Sequence, residues 1–268
     1  MSYALVTGAS KGIGKAIARC LAGRGYGLLL VARSEELLRE NAEKWKNEYS
    51  VDVRYLSMDL SAPDSPQRVF EWVNESGVPL NILINNAGYG LWGNFHTLSL
   101  ERQMNMLQIN ITTLVNLTHK MIPLLQKNTP AYILNVGSMA GLQAMPSVNA
   151  YSASKAFVNS FSRGLYHELK PSGIQVTVLV PGSVDTNFVE VSGMQHMEEK
   201  ARRASMSAEQ VAGIAVKALF NKKIAVIPGG SNRLMAFGIK HLPKFWVEKM
   251  AASLYRKREK TGSLPVKK

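Results

Sequence analysis

Residues 4–14 read ALVTGASKGIG, a short apolar run followed at once by a glycine-rich turn. Three glycines, Gly8, Gly12 and Gly14, bracket the passage from a predicted strand into a predicted helix. Glycine allows a tight turn and lets the backbone approach a phosphate closely, and the helix N-terminus offers free N–H groups to a pyrophosphate. Because the motif lies between a first strand and a helix, it predicts a dinucleotide-binding sheet.

Short apolar runs alternate with amphipathic stretches, and no proline- or glycine-rich linker interrupts residues 1–230. This alternation is typical of βαβ units. It predicts an α/β fold, a doubly wound (Rossmann-type) parallel sheet of about seven strands with helices on both faces. The predicted strands are Ala4–Val6, Leu28–Val31, Val51–Leu56, Ile82–Ile84, Ile133–Val136, Val176–Val180 and Ile224–Ile227.

A positive charge follows the second predicted strand. Arg33 comes 19 residues after Gly14. An NAD-binding unit places an acidic residue roughly 20 residues past the glycines, where it binds the ribose 2′-hydroxyl. A cation at this position favours a 2′-phosphate instead, so we predict NADP(H) as the cofactor. Lys11, inside the glycine turn, adds a second positive charge. The alternative is that both are solvated surface charges.

Residues 138–155, SMAGLQAMPSVNAYSASK, predict an active site for carbonyl–alcohol interconversion. Tyr151 and Lys155 are four residues apart, so on a helix they share a face and the ammonium lies beside the phenol. A neighbouring cation favours the phenolate, and we expect it to lower the pKa of Tyr151 from about 10 to roughly 7. Such a phenol exchanges a proton with a substrate oxygen near neutral pH, while Ser138 holds that oxygen.

The same spacing recurs at Tyr166 and Lys170, within one predicted helix, Asn149–Lys170. Tyr166 lies about 22 Å from Tyr151 along the helix axis. The N-terminus of a crossover helix lies at the carboxyl edge of a parallel sheet, where ligands bind. We therefore predict that Tyr151 is catalytic and that Tyr166 is not.

Three further clusters complete a family pattern. Residues 85–88 read NNAG after an apolar strand, Asn110 lies in a predicted helix, and residues 181–182, PG, follow a strand shortly before Thr186. Together with the glycine turn and the serine–tyrosine–lysine set, these motifs resemble the short-chain dehydrogenase/reductase (SDR) family in its compact single-domain, NADP-preferring form. The resemblance covers about residues 2–225.

The resemblance implies a role for each member of the catalytic set. Tyr151 is the general acid/base, Lys155 also binds the nicotinamide ribose, and Ser138 orients the carbonyl. Asn110 holds a proton-relay water. The implied reaction is an NADP(H)-dependent interconversion of a carbonyl and a secondary alcohol.

The resemblance also implies where the cofactor lies. Asp59 and Leu60 border the adenine, residues 86–88 the adenosine ribose, and residues 181–186 the nicotinamide carboxamide. Alternatively, Asn85 and Asn86 chiefly pin the central strands, and Gly182 only makes a turn. The full set of implied cofactor-binding residues is Gly8, Ser10, Lys11, Gly12, Ile13, Gly14, Arg33, Asp59, Leu60, Asn86, Ala87, Gly88, Tyr151, Lys155, Pro181, Gly182, Val184 and Thr186.

The segments expected around the substrate cleft are mostly apolar: Gly90–Phe95, Gly141–Met145 and Phe188–Met206. They favour a carbonyl on a hydrophobic body, such as a ketoacyl chain, a steroid-like ketone or an aryl ketone. Arg202 and Arg203 are candidates to meet an acidic tail, or are simply exposed helix charges. Two other functions stay open: an NADP-binding regulatory or sensor protein, and a redox-silent isomerase or epimerase on the same fold.

The net charge of +13 is concentrated at the C-terminus, where residues 240–268 hold nine Lys or Arg and two Glu. We predict a dinucleotide-binding and catalytic domain over residues 1–230 and a basic amphipathic helical extension over residues 231–268. The extension packs on its own domain, forms a lid or subunit contact, or makes a peripheral membrane contact. No recognition motif accompanies the charge, so we expect no nucleic-acid binding.

The remaining composition predicts the setting of the protein. The first predicted strand starts by Tyr3, leaving no room for a signal peptide, and no long uncharged apolar run predicts a membrane span. The single Cys20 excludes an internal disulfide, so we expect a cytoplasmic protein. Five histidines without ligand spacing predict no catalytic metal. The resemblance implies a homo-oligomer, a dimer or tetramer, formed through the long helices after Ser99 and Asn149.

Overall fold

The computed structural model describes residues 1–185 and 205–262. Seven strands within these ranges form one parallel sheet, so the predicted α/β architecture is confirmed. They are β1 (Tyr3–Thr7), β2 (Gly27–Ala32), β3 (Val53–Ser57), β4 (Leu80–Asn85), β5 (Ala131–Val136), β6 (Ile174–Leu179) and β9 (Ala225–Val226). Two further short strands, β7 (Val184–Asp185) and β8 (Met206–Ser207), pair with each other.

The helices of the described ranges follow the strands in alternation. They are α1 (Gly12–Ala22), α2 (Glu35–Tyr49), α3 (Ser65–Glu75), α4 (Leu100–Leu107), α5 (Leu114–Lys127), α6 (Asn149–Leu169), α7 (Ala208–Phe220), α8 (Gly230–His241) and α9 (Lys244–Gly262). A π-helical turn, Gln108–Thr113, joins α4 to α5. Short 3-10 turns occupy Met139–Leu142 and Lys170–Ser172.

The strand order is β3-β2-β1-β4-β5-β6-β9. Strand β1 pairs with β2 on one side and with β4 on the other, so the order of the strands reverses at β1. In a doubly wound sheet, a crevice opens outside the carboxyl ends of the strands at this point. The loops that follow β1, β2, β4, β5 and β6 therefore lie at one edge and can share a ligand.

Each face of the sheet is covered by helices. Helices α1, α2 and α7 bury Ile17, Trp45 and Leu219 on one face. Helices α3, α5 and α6 bury Val69, Met121 and other residues on the opposite face. Because both faces are covered, every residue of β1, β2 and β6 is buried, as is typical of parallel strands.

The predicted boundaries of the strands and of α6 differ from the observed ones by at most two residues. Strand β3 begins at Val53 rather than Val51. Helix α6 ends at Leu169 rather than Lys170, because Pro171 has no N–H to donate to the carbonyl oxygen of His167, and a 3-10 turn follows.

The C-terminal region, predicted as a helical extension, contains two helices. Helices α8 and α9 meet at Pro243. Gly229, at a φ of +88°, makes the turn before α8. In the part of the chain that the structure describes, no helix combines the length and the apolar character needed to span a membrane.

Candidate active site

The glycine turn after β1 has the backbone geometry that its sequence predicts. Gly8 and Gly12 have φ values of +66° and +57°, a conformation that L side chains rarely adopt. A Cβ at Gly8 would lie 2.7 Å from Asn86 Nδ2, and one at Gly14 would collide with the same amide and with the Gly8 carbonyl oxygen. The turn therefore brings the backbone to the mouth of the crevice, with Ser10 and Ile13 beside it, at the N-terminus of α1.

Asn86 holds this turn against β4. Its Nδ2 donates to the carbonyl oxygens of Thr7, at 3.0 Å, and Gly8, at 3.1 Å. The Thr7 hydroxyl in turn accepts from the backbone N–H groups of Asn86 and Ala87. Both amide protons of Asn86 are thus used within the protein, as the strand-pinning alternative expects. A contact with the adenosine ribose would fall to the backbone of residues 86–88.

Asn85 pins the centre of the sheet in the same way. Its Nδ2 donates to Thr118 Oγ1 and to Asn135 Oδ1, both at 2.9 Å, and all three side chains are buried. The amide of Asn135 continues this chain to Ser162 on α6. Buried polar groups are stable only when hydrogen-bonded, so this network ties β4, β5, α5 and α6 together below the site.

Two exposed cations lie after β1 and β2, at the carboxyl edge of the sheet. Lys11 is the N-cap of α1, Arg33 follows β2, and neither forms a salt bridge within the described ranges. Asp59, after β3, accepts from the backbone N–H of Ser61, and its pKa is lowered mainly by that bond and in part by the charge of Arg33. Leu60 lies next to it and is buried. Free cations at this edge suit an additional phosphate.

Ser138, Tyr151 and Lys155 come together at the carboxyl end of β5. Ser138 follows that strand, and its side chain is hydrogen-bonded to that of Tyr151 at the start of α6. Lys155 Nζ donates to the Val136 carbonyl oxygen at 2.8 Å. Tyr151 and Lys155 are only 8% and 6% exposed, so this is a buried titratable pair rather than a surface one.

The predicted lowering of the Tyr151 pKa is wrong for this structure. Burial raises the pKa of Tyr151 to about 12, against the opposing effect of its hydrogen bond with Ser138. Burial also lowers the pKa of Lys155 to about 8. The cause is shared: removal from water penalises the charged form of each group, and the Lys155 ammonium is engaged by the Val136 carbonyl.

Asn110 lies in the π-helical turn between α4 and α5. Its Nδ2 donates to the Tyr89 carbonyl oxygen and to Ser154 Oγ, each at 3.0 Å, and its Oδ1 accepts from the Tyr89 N–H at 3.2 Å. A Cβ added at Gly88 would lie 2.6 Å from this Oδ1 and 3.6 Å from Lys155 Nζ. Asn110 therefore holds the loop after β4 close to the lysine, and π turns recur at functional sites.

Sequence reasoning missed Asn159, which holds Ser138 in place. Asn159 lies one turn after Lys155 on α6, and its Nδ2 donates to the Ser138 carbonyl oxygen at 3.0 Å. Its Oδ1 is buried and has no hydrogen-bond partner among the residues that the structure describes. The signal available in the sequence was an amide four residues beyond Lys155, which points to the same helix face.

The loop after β6 contacts the segment that follows β5. The Pro181 carbonyl oxygen accepts from the Met139 N–H at 2.9 Å, which joins this loop to the segment after Ser138. A Cβ at Gly182 would lie 2.7 Å from the Asn232 side chain, so glycine is required for this close approach. Val184 begins the short strand β7. The prediction for Thr186 lies outside the described residues, as do those for Arg202 and Arg203.

Apolar side chains surround Tyr151. Leu91, Met106 and Val148 are buried with it, and Trp92 and Met145 pack against the cluster. Leu142 packs against a neighbouring cluster that contains Met139 and Val180. Phe95 is exposed. Most of the predicted cleft between residues 188 and 206 lies outside the described residues. Within the described residues, the side chains packed around Tyr151 form an apolar wall of the site.

Tyr166 lies at the other end of α6. Its ring packs with Leu169 and other residues of the cluster under α3, α5 and α6, and Lys170 Nζ lies 5.8 Å from its centre. Since β6 begins just after this end, at Ile174, Tyr166 belongs to the amino edge of the strands. The structure thus separates the two tyrosine–lysine pairs as predicted.

The edge as a whole fits a dinucleotide. The glycine turn supplies an approach that any Cβ would fill, the N-terminus of α1 supplies backbone N–H groups, and Lys11 and Arg33 supply charge. The buried phenol, the serine hydroxyl and the ammonium lie near the carboxyl end of β5, at the same edge of the sheet. Such a set can exchange a proton with a substrate oxygen.

Comparison with known proteins gives concordant matches. A family profile described as short chain dehydrogenase matches residues 2–197. Very-long-chain 3-oxoacyl-CoA reductase-A of Danio rerio is 34% identical over 193 residues, 70% of this chain and 60% of that protein. Sulfoacetaldehyde reductase 2 of Chromohalobacter salexigens is 36% identical over 214 residues, 78% of this chain and 84% of that protein.

A solved structure extends the similarity to the whole chain. A short-chain dehydrogenase from Sphingobium yanoikuyae, in complex with NADPH, superposes with a TM-score of 0.79 at 28% identity, covering 100% of this chain and 98% of that one. The chain spans about three fifths of the length of the 3-oxoacyl-CoA reductases that it matches.

Proposed function

The chain belongs to the short chain dehydrogenase family, and we propose that it is an NADP(H)-dependent oxidoreductase. It interconverts a carbonyl and a secondary alcohol on a hydrophobic substrate. The observation that carries this proposal is the buried Tyr151 phenol, hydrogen-bonded to Ser138 and one helical turn from Lys155, at the carboxyl edge of the sheet.

In the direction of reduction, Tyr151 is the proton donor. Its pKa of about 12 keeps the phenol protonated at neutral pH, so a proton is available for the oxygen of a carbonyl. Ser138 donates a hydrogen bond to the same oxygen. Lys155, with a pKa of about 8, is mostly protonated at pH 7, and its charge stabilises the phenolate left behind. The bound nicotinamide supplies the hydride.

We assign the contacts with the cofactor along the carboxyl edge of the sheet in the order of the chain. The glycine turn at residues 8–14 binds the pyrophosphate, and Lys11 and Arg33 bind the 2′-phosphate. Asp59 and Leu60 border the adenine, the backbone of residues 86–88 the ribose, and residues 181–186 the carboxamide. Support comes from the NADPH held by the similar Sphingobium yanoikuyae structure.

The substrate class follows from the apolar wall around Tyr151. Leu91, Trp92 and Met145 present carbon rather than charge near the phenol. They suit a ketoacyl chain, a steroid-like ketone or an aryl ketone better than a small anion. A relative that reduces very-long-chain 3-oxoacyl-CoA supports the first of these.

A homo-oligomer, a dimer or tetramer, is part of the proposal. Leu100 and Met104 on α4 are 67% and 56% exposed, and Phe157 on α6 is 40% exposed. Helices α4 and α6 contact each other, and we assign the subunit contact to the exposed apolar side chains of these two helices.

The test is NADPH consumption against 3-oxoacyl thioesters of increasing length, steroid-like ketones and aryl ketones. We expect turnover with NADPH in preference to NADH, and a KM that falls as the apolar body grows. NADPH binding without turnover of any of these would favour a sensor. Conversion of a substrate without net NADPH consumption would favour an isomerase or epimerase.

A further inference from the structure

Helices α8 (Gly230–His241) and α9 (Lys244–Gly262) leave an apolar surface without a partner among the described residues. Of the twelve large apolar side chains exposed in the described ranges, seven lie between residues 234 and 250, with exposures of 54% to 73%. This surface, the C-terminal apolar face, consists of Leu234, Met235, Phe237, Leu242, Phe245, Trp246 and Met250. Clustered exposure of this kind marks an interaction site.

The helices attach to the domain by their other sides. Helix α8 has no buried residue and packs on the domain through Ala236, which contacts the cluster of Met139 and Val180. Helix α9 buries only Val247 and Ala251 among its residues 244–253. On a helix these two are four apart, so they form one narrow stripe, and Trp246 and Met250 project away from it.

Positive charge accompanies the apolar face. Residues 230–262 hold eight lysines and arginines against two glutamates. Lys249 lies in the face itself, with its Nζ 5.8 Å from the centre of the Phe245 ring. Lys244 begins α9, and Arg233 and Lys240 lie on α8. The surface therefore combines large apolar side chains with cations along its whole length.

We propose that the C-terminal apolar face docks on an anionic membrane surface. Tryptophan, phenylalanine and leucine enter the boundary between headgroups and acyl chains, while lysine and arginine bind the headgroups. A second copy of this chain is a poorer partner, because a two-fold contact would set the positive charge of one copy against that of the other.

Docking would also place the catalytic segment close to the bilayer. Helix α8 packs directly on the 3-10 turn Met139–Leu142, which follows Ser138. One helix has a diameter of about 10 Å, so the site would lie about that far from the lipid. The docking proposal itself rests on the exposed face and its charge, and does not depend on the proposed reductase activity.

The experiment is co-sedimentation of the full chain with vesicles of phosphatidylcholine plus phosphatidylserine and with vesicles of phosphatidylcholine alone. We expect binding to the mixed vesicles that weakens with salt, and at least about tenfold weaker binding without the anionic lipid. Sedimentation with neither kind of vesicle would overturn the proposal.

Two variants locate the contact. Phe245→Ser with Trp246→Ser removes two side chains that are each 69% exposed, and should reduce binding by at least about tenfold without changing the melting temperature. Lys244→Glu with Lys249→Glu should have a similar effect. Its matched control is Lys44→Glu with Lys46→Glu on α2, which changes the net charge equally and should bind nearly as the parent does.

Two outcomes would assign the face to another partner. Binding that falls equally in the α2 control would indicate attraction by net charge rather than docking by this face. If the Phe245 and Trp246 variant instead changes the oligomer's mass in solution, with vesicle binding unaltered, the face is a subunit contact and the proposal fails.

Discussion

The two ends of helix α6 carry the same pair of residues in different surroundings. Tyr151 and Lys155, at the start, are buried at the carboxyl edge of the sheet, and burial shifts both pKa values. Tyr166 and Lys170, at the other end, form a cation–π contact, in which Lys170 Nζ lies 5.8 Å from the centre of the Tyr166 ring. The four-residue spacing makes the tyrosine and the lysine neighbours in both cases. The elements packed around each pair decide whether it is buried at the edge of the sheet where ligands bind.

A serine accompanies each pair, and its role differs in the same way. Ser138 hydrogen-bonds the Tyr151 side chain and is held by Asn159 from α6. Ser172 donates to the carbonyl oxygen of Leu169 and serves only its own turn. Ser138 therefore lies beside the proposed proton donor, whereas Ser172 pairs with a carbonyl group at the end of helix α6.

Exchanging each tyrosine for phenylalanine gives the largest expected difference. Tyr151→Phe removes the proton donor and should lower kcat by about 10²- to 10⁴-fold. Tyr166→Phe keeps the packed ring and should leave kcat within about twofold. The measurement is steady-state NADPH oxidation with the best substrate, alongside NADPH binding by each variant. Equal losses in the two variants would mean that Tyr151 acts only through folding.

Lys155 should make the stability of the folded protein depend on pH. The folded-state pKa of Lys155, about 8, lies below its ordinary value of 10.5. The unfolded chain therefore binds more protons between these values, and the unfolding free energy should rise with pH across that window, by about 2 kcal/mol from pH 8 to pH 10. Above pH 10 the raised pKa of Tyr151 acts in the opposite sense.

Urea unfolding at several pH values measures this effect. We expect Lys155→Met to lose the rise and Lys170→Met to keep it, since other titrating groups are common to both variants. A rise of the same size in Lys155→Met would show that the ammonium is not buried in the folded protein.

A third comparison concerns the serines. Ser138→Ala removes one hydrogen bond to an oxygen that carries developing charge, worth about 1.5–3 kcal/mol, so kcat should fall by roughly ten- to a hundredfold. Ser172→Ala should be neutral for kcat. Single-turnover reduction with each variant would separate the chemical step from product release. A Ser138→Ala variant with unchanged chemistry would remove this residue from the site.

Much of this arrangement was predictable from local patterns. The alternation of apolar runs predicted seven parallel strands, because a strand buried on both faces must be apolar throughout. The glycine spacing predicted the turn at Gly8 and Gly12, since glycine adopts positive φ angles without the steric cost that a Cβ brings. The position of Tyr151 at the start of a crossover helix predicted its edge of the sheet.

The rest depended on contacts between distant residues. The direction of the Tyr151 pKa shift was wrong because a pair spacing describes one neighbour, whereas burial depends on β5, α4 and the loops packed around the ring. Asn159 was missed, because its hydrogen bond joins a residue 21 positions away. The sequence left two roles open for Asn86, because its hydrogen bonds join residues 79 and 78 positions away.

The sequence by itself determined the fold class, the glycine turn and the pairing of tyrosine with lysine, all of which follow from periodicity along the chain. Only the tertiary structure decided that one pair is buried and the other is not, and that the apolar residues of α8 and α9 lie outside the core. The physical reason is that spacing sets which side chains share a helix face, but solvent exposure is set by every element that packs against that face.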